Sequence, residues 1–171
     1  MRREDRQMSA EWALDVMKRA PYITVSMTDE DGFPYSVPLS LANTDDSTFY
    51  FHGAKEGRKI DILKKNPRVC LCAVTKCHPL VGPKDDSFTL EFQSAIANGI
   101  AELVEDEAEK KKAMYTICER FLPKHMAAFE TAFERSIAHT AIVRIKLTEP
   151  PTGKRKQYDN HGEEMKWQRM E

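Results

Sequence analysis

The sequence predicts a mainly β protein, a small antiparallel barrel with peripheral helices. Stretches of alternating apolar and polar residues follow one another through turn sequences, as strands in hairpins do. Helical segments lie between and beside these strands without a strict alternation of helix and strand, which disfavours a parallel doubly wound sheet. The 171 residues, 41% of them hydrophobic and 31% charged, are enough to bury one core.

The first third of the chain reads as a helix followed by an antiparallel meander. Ser9 is a suitable N-cap, and Gly32 can adopt the positive φ of a hairpin turn. Pro34 and Pro38 cannot donate ladder hydrogen bonds, so the strand that contains them has an edge or a bulge. The expected elements are a helix over residues 9–19, strands over residues 23–28, 33–41 and 48–52, and a turn at residues 29–32.

The rest of the chain alternates less regularly. Residues 88–104 form one long strand, or two strands joined by a bend near residues 97–99. Acidic residues at the start of the helix that follows suit its dipole, and Pro123 starts another helix. The other expected elements are a helix over residues 56–65, a strand over 68–75, a loop over 78–87, a strand over 141–147 and a polar tail from residue 150.

Charge and composition exclude several classes of protein. The formal net charge of −1 gives no general attraction to nucleic acid, so no nucleic-acid partner is expected. No apolar run approaches the roughly 20 residues of a membrane span. The first residues lead into no apolar core, so no signal peptide is expected, and a cytoplasmic location with reduced thiols follows.

Cys70, Cys72, Cys77 and His78 lie within nine residues. Two interpretations of this stretch are open, a zinc site and a set of buried thiols. The spacing matches no CxxC pair of a zinc site. Buried thiols acting as small hydrophobic side chains are the simpler interpretation, and no metal site is predicted.

A strand that ends in small residues and leads into a basic helix is the most informative stretch, at residues 49–59. Free backbone N–H groups at a helix start, beside Arg58 and Lys59, suit a phosphate. A solvated basic helix face remains the alternative. His52, at the end of the strand, can face a ligand, bind a metal or satisfy a backbone carbonyl.

Five segments, taken in order, resemble one protein family. They are residues 31–39 (DGFPYSVPL), 49–54 (FYFHGA), 57–63 (GRKIDIL), 66–70 (NPRVC) and 94–102 (SAIANGIAE). The opening residues 1–6 and residues 152–154 add to the match. The sequence resembles the FMN-binding split-barrel proteins related to pyridoxamine 5'-phosphate oxidase, and among them most the nitroimidazole-resistance branch.

This resemblance implies a six-stranded antiparallel split barrel over residues 1–155, followed by a polar tail over residues 156–171. It implies a homodimer with flavin, FMN or alternatively FAD, at the subunit interface. Arg58 and Lys59 would hold the phosphate, and His52 would lie near flavin and substrate as the catalytic candidate. The other cofactor-binding residues implied are Val37, Pro38, Leu39 and Ser40 at the ring edge, Phe51, His52, Gly53 and Ala54 beside the ribityl chain, and Gln93 and Ser94 from the other subunit.

Three functions follow from these observations. The first is a flavin-dependent oxidoreductase that reduces small molecules such as nitroaromatic compounds, with the electron chemistry supplied by the cofactor. The second is a non-catalytic split barrel that binds flavin, or haem through a histidine such as His52. The third, a dimerisation module without a ligand, is disfavoured because Gly53, Arg58 and Lys59 are all present.

Overall fold

The computed structural model describes residues 2–81 and 88–166, and this part of the chain is mainly β. Its strands are β1 (Gln7–Met8), β2 (Ile23–Thr28), β3 (Pro34–Leu39), β4 (Ala42–Asn43), β5 (Thr48–Ala54), β6 (Arg68–Val81), β7 (Phe88–Leu103), β8 (Thr140–Leu147) and β9 (Thr152–Lys156). Its α-helices are α1 (Ala10–Arg19), α2 (Arg58–Lys65), α3 (Glu107–Phe121) and α4 (Phe129–Ser136). No helix of these residues is long and apolar enough to cross a membrane.

The strands form one antiparallel sheet in the order β3-β2-β6-β7-β8-β5-β4, and β9 pairs with both β7 and β1. Although β3 and β5 lie near opposite ends of this order, they share one core. Tyr35 and Val37 of β3 pack against the buried cluster that contains Phe49 and Phe51 of β5. The sheet is therefore rolled into a barrel that is split between β3 and β5, and the expected fold class is confirmed.

Helix α1 covers part of the barrel and fixes the position of β9. Ser9 caps the helix by accepting a hydrogen bond from the N–H of Trp12 at 3.2 Å, as the sequence predicts. A Cβ added at Gly153 of β9 would lie 2.8 Å from the ring of Trp12. A side chain at that position would push α1 away from the strand, so glycine permits this close packing.

A second apolar cluster lies between the sheet and helices α3 and α4. Tyr50, Met114, Ile117, Phe129 and Ile142 are all buried in it. The α3 residue Arg120 ties this layer to the barrel by donating to the carbonyl oxygens of Leu41 and Ala20, at 2.5 and 2.7 Å. The helices thus pack against the side of the barrel.

The strand expected over residues 68–75 extends further in the structure. β6 continues to Val81 and pairs with β7 on both sides of a bulge at Thr75. The loop predicted over residues 78–87 is therefore wrong for its first four residues. Its other six residues lie outside the described part of the chain. β7 is one continuous strand, which settles the two alternatives considered for it.

Residues beyond 150 are more structured than a polar tail suggests. β9 pairs with β7 through Ser94–Lys154 and Phe92–Lys156, among other pairs. Further on, Glu164 accepts two hydrogen bonds from Arg6, at 2.6 and 2.9 Å, and this lowers the pKa of the Glu164 carboxyl to about 2. The proposed division after residue 155 remains a prediction, and Trp167 lies outside the described residues.

Candidate functional site

The start of α2 lies where β5 ends, at the open side of the barrel. Gly57 has φ 111° and ψ 164°, a combination open almost only to glycine, and it turns the chain into the helix. The N–H groups of Ile60 and Asp61 bond to the carbonyl of Gly57. Within the described residues, the N–H groups of Arg58 and Lys59 have no hydrogen-bond acceptor.

Arg58 reaches from α2 towards the β2–β3 hairpin. Its guanidinium lies 4.6 Å from the centroid of the Tyr35 ring, and its Nη2 donates to Oδ2 of Asp29 at 3.2 Å. Asp29 is itself fixed, because its Oδ1 accepts a hydrogen bond from the N–H of Phe33 at 2.8 Å. Arg58 therefore links the helix to β3, while its side chain stays 59% exposed.

Lys59 reaches in the other direction, towards β5. Its ammonium lies 5.2 Å from the centroid of the Phe51 ring, and a Cβ added at Gly53 would lie 3.0 Å from its Nζ. Burial lowers the pKa of Lys59. The two neighbouring cations thus line both sides of the split, Arg58 beside β3 and Lys59 beside β5.

The two strands at the split each offer backbone groups to a ligand. Within the described chain β3 pairs with β2 alone, and residues 51–54 of β5 pair with β8 alone. The side chains of Val37 and Leu39 pack on the core, whereas Pro38 and Ser40 are exposed. Phe51 is 1% exposed, so this residue belongs to the core beneath the split, whereas His52 and Ala54 on the same strand are exposed.

His52 lies at the same strand end, with its side chain exposed on the face opposite that of Phe51. Partial burial of the imidazole lowers its pKa, and the charge of Lys59 lowers it further. The ring is therefore neutral at neutral pH, when one nitrogen can donate and the other can accept a hydrogen bond or bind a metal.

Gln93 and Ser94 do not join these residues within one chain. They lie in the half of β7 that pairs with β9, whereas β8 pairs with the other half. As neighbours on a strand they point to opposite faces. Gln93 accepts a hydrogen bond from the hydroxyl of Thr75 at 3.2 Å, and Ser94 lies in register with Val74.

The cysteine-rich stretch does not form a metal-ligand set. The register of β6 shifts at Thr75, and this bulge places His78 on the face opposite that of Cys70 and Cys72. In residues 2–81 and 88–166, no three groups of the metal-binding types come together. Burial raises the pKa of the Cys70 thiol, and Cys72 adds to the effect.

Two residues beside Arg58 were missed by the sequence reasoning. Asp29 was assigned only to a turn and Tyr35 only to a strand. No local pattern connects either residue to a helix that begins more than 20 positions later. The chemistry of these side chains was the available indication, because an acid and an aromatic ring are each suitable partners for a guanidinium.

The chain matches one known protein family. The family model described as "Pyridoxamine 5'-phosphate oxidase" matches residues 9–154. No curated protein matches the chain.

Several solved structures share the fold. A candidate 5-nitroimidazole antibiotic resistance protein from Bacteroides thetaiotaomicron is 23% identical with a TM-score of 0.71, covering 86% of this chain and 85% of its own. The FAD and heme binding protein from Mycobacterium smegmatis is 19% identical with a TM-score of 0.76, covering 88% and 73%. The flavocytochrome Anf3 from Azotobacter vinelandii is 20% identical with a TM-score of 0.69, covering 87% and 68%. With the family match over residues 9–154, the chain belongs to the pyridoxamine 5'-phosphate oxidase family.

Proposed function

We propose that this protein binds FMN at the split of its barrel, between two copies of the chain, and uses it to reduce small molecules such as nitroaromatic compounds. The observation that carries the proposal is the position of Arg58 and Lys59, one beside each side of the split. When bound, a flavin supplies the electron transfer, and the protein binds and orients it.

The phosphate belongs at the start of α2. The N–H groups of Arg58 and Lys59 lack acceptors within the described residues, and helix N-termini favour anions. The guanidinium of Arg58 uses one nitrogen for Asp29, so its remaining donors can reach a phosphate. FMN fits this site better than FAD, since its terminal phosphate carries more charge for the two cations to neutralise.

The ring and ribityl chain belong along the two free strand edges. The backbone of Val37, Leu39 and Ser40 offers donors and acceptors to the ring edge, whereas Pro38 offers only a carbonyl. Gly53 and Ala54 leave room for the ribityl chain because neither carries a large side chain. His52, neutral and partly exposed, lies where it can hydrogen-bond a substrate and is the proposed catalytic residue.

A second subunit is needed because a ring lying on an open barrel edge lacks a cover on one side. We assign this cover to the outer face of β6, β7 and β9, which comprises Val74, Ser94, Ile96 and Lys154. Val74 and Ile96 are both 48% exposed, so this face presents apolar side chains that a second copy can cover. Ser94 lies on this face, and Gln93 supports it from behind.

The test is a pair of titrations, with FMN and with riboflavin, on wild type and on the double variant Arg58→Ala, Lys59→Ala. Each charge-assisted hydrogen bond is worth about 1.5–3 kcal/mol, so FMN affinity should fall about a hundredfold or more. Riboflavin lacks the phosphate, and its affinity should stay the same.

The matched control is Lys64→Ala, Lys65→Ala, which removes two cations from the other end of α2. This control should bind FMN as wild type does. Wild-type FMN affinity in a folded Arg58→Ala, Lys59→Ala variant would refute the phosphate assignment. A wild-type protein that binds no flavin at all would refute the proposed function.

A non-catalytic flavin- or haem-binding protein is the second candidate. It is favoured by two similar structures, the FAD and heme binding protein and the flavocytochrome, and by the neutral imidazole of His52. A Soret band in the reconstituted protein that is lost in His52→Ala would establish haem. Flavin absorption, with reduction by NAD(P)H in stopped flow, would support the oxidoreductase.

A further inference from the structure

Lys154 lies beside Ser94 on the outer face and gives that face a positive charge. The two residues are register partners on β9 and β7, so their Cβ atoms are about 5 Å apart. Gly153, the residue before, faces α1, and the alternation of the strand therefore turns Lys154 outwards.

The local contacts hold the ammonium of Lys154 over this face. It lies 5.4 Å from the centroid of the Phe92 ring, and Phe92 is two residues from Ser94 on the same face of β7. Within residues 2–81 and 88–166, Lys154 forms no ion pair. By contrast, Lys76 pairs with Glu91 at 3.3 Å, so its charge is already neutralised.

We propose that the partner subunit's Lys154 lies against the flavin ring and stabilises the reduced, negatively charged form of that ring. The inference rests on the proposed function, because it takes the outer face as the second cover of the ring. If the partner's Ser94 faces the ring, the side chain in register with it faces the ring as well. A lysine side chain is long enough to bring its charge to the ring from that position.

The electrostatic consequence has a definite sign. Two electrons and one proton convert the oxidised ring into a reduced ring with one additional negative charge. A nearby ammonium attracts that charge in a partly desolvated interface, whereas it has little effect on the neutral oxidised ring. Lys154 therefore makes reduced FMN bind more tightly relative to oxidised FMN. A tenfold change in this ratio equals about 30 mV for two electrons.

The experiment measures, without oxygen, the dissociation constants of oxidised FMN, dithionite-reduced FMN and riboflavin for four proteins. They are wild type, Lys154→Met, Lys154→Arg and the control Lys146→Met, which removes an exposed cation from β8. Lys154→Met should lower the preference for reduced FMN about tenfold. Lys154→Arg should restore it, and Lys146→Met should leave it unchanged.

Each alternative outcome overturns the inference in a recognisable way. An unchanged preference in Lys154→Met means that Lys154 does not face the ring. Equal weakening of oxidised and reduced FMN, without weakening of riboflavin, places Lys154 at the phosphate instead. Should Lys154→Met fail to fold, Lys154→Gln removes the same charge and replaces it in the test. A wild type that binds neither form refutes the proposed function, which is a separate failure.

Discussion

Single side chains decide what the open side of the barrel can bind. Two consecutive residues, Arg58 and Lys59, point to different strands because successive helical positions are about 100° apart. Sequence reasoning could predict that both cations stand at a helix start. It could not predict their separation, since the partners Tyr35 and Phe51 come from two different strands.

The pKa of His52 provides a residue-scale prediction. Burial and the charge of Lys59 both lower it from 6.5, so NMR titration of the imidazole should give a value below 6.5. In Lys59→Met the repulsion disappears, and the pKa should rise. It should still remain below 6.5, because burial is the larger cause.

The lowered pKa of His52 also makes the stability of the fold decrease as pH falls. Because the folded pKa is lower than the unfolded one, the unfolded chain binds the proton first as pH falls. The stability associated with neutral His52 is present above pH 6.5 and is lost as pH falls through the folded pKa. A measured pKa at or above 6.5 would contradict this description of the site.

At the scale of elements, the local sequence pattern correctly predicted the features that interactions between nearby residues stabilise. The cap at Ser9, the turn at Gly32 with φ 83° and the edge strand with its prolines all follow from nearby residues. β9 was missed because Thr152–Lys156 has no apolar alternation, and its partners lie on β7, about 60 residues earlier. The extension of β6 was missed because Pro79 suggests a loop, whereas pairing with β7 holds this segment as a strand.

The turn into α2 gives the element-scale prediction. Gly57→Ala places a side chain at φ 111° and ψ 164°, which should cost about 1–3 kcal/mol of unfolding free energy. Urea denaturation measures this loss directly.

Gly53→Ala is the matched control, four residues away. Its added Cβ meets only the end of the flexible Lys59 side chain, so its cost should stay below about 1 kcal/mol. Equal losses in both variants would show that the conformation of Gly57 is not what the helix start requires.

At the scale of the whole molecule, the predicted site residues lie in two separate places. Those on β3, β5 and α2 gather at the split, whereas Gln93 and Ser94 lie elsewhere in the same chain. The sequence could place the β5 and α2 residues together because they flank one strand–helix junction, whereas the β3 residues were implied only by the family resemblance. The second group can act on the same ligand only if a second copy supplies it, which is why the proposed site requires a dimer.

In the proposed function the outer face links dimerisation to flavin binding, and Ile96→Lys tests this link. Ile96 is 48% exposed, so lysine there should leave the fold stable, while an unpaired charge buried in the proposed interface would oppose association. Sedimentation should show a monomer. FMN affinity should fall about tenfold or more although Arg58 and Lys59 are intact, because separated subunits no longer cover the second side of the ring.

Leu122→Lys is the control for this prediction, since Leu122 is 54% exposed but lies at the end of α3, away from the outer face. It should remain dimeric and bind FMN as wild type does. An Ile96→Lys variant that stays dimeric would show that the interface lies on another face. A monomer that binds FMN with wild-type affinity would show that one chain suffices, because a site built by two subunits must lose affinity when they separate.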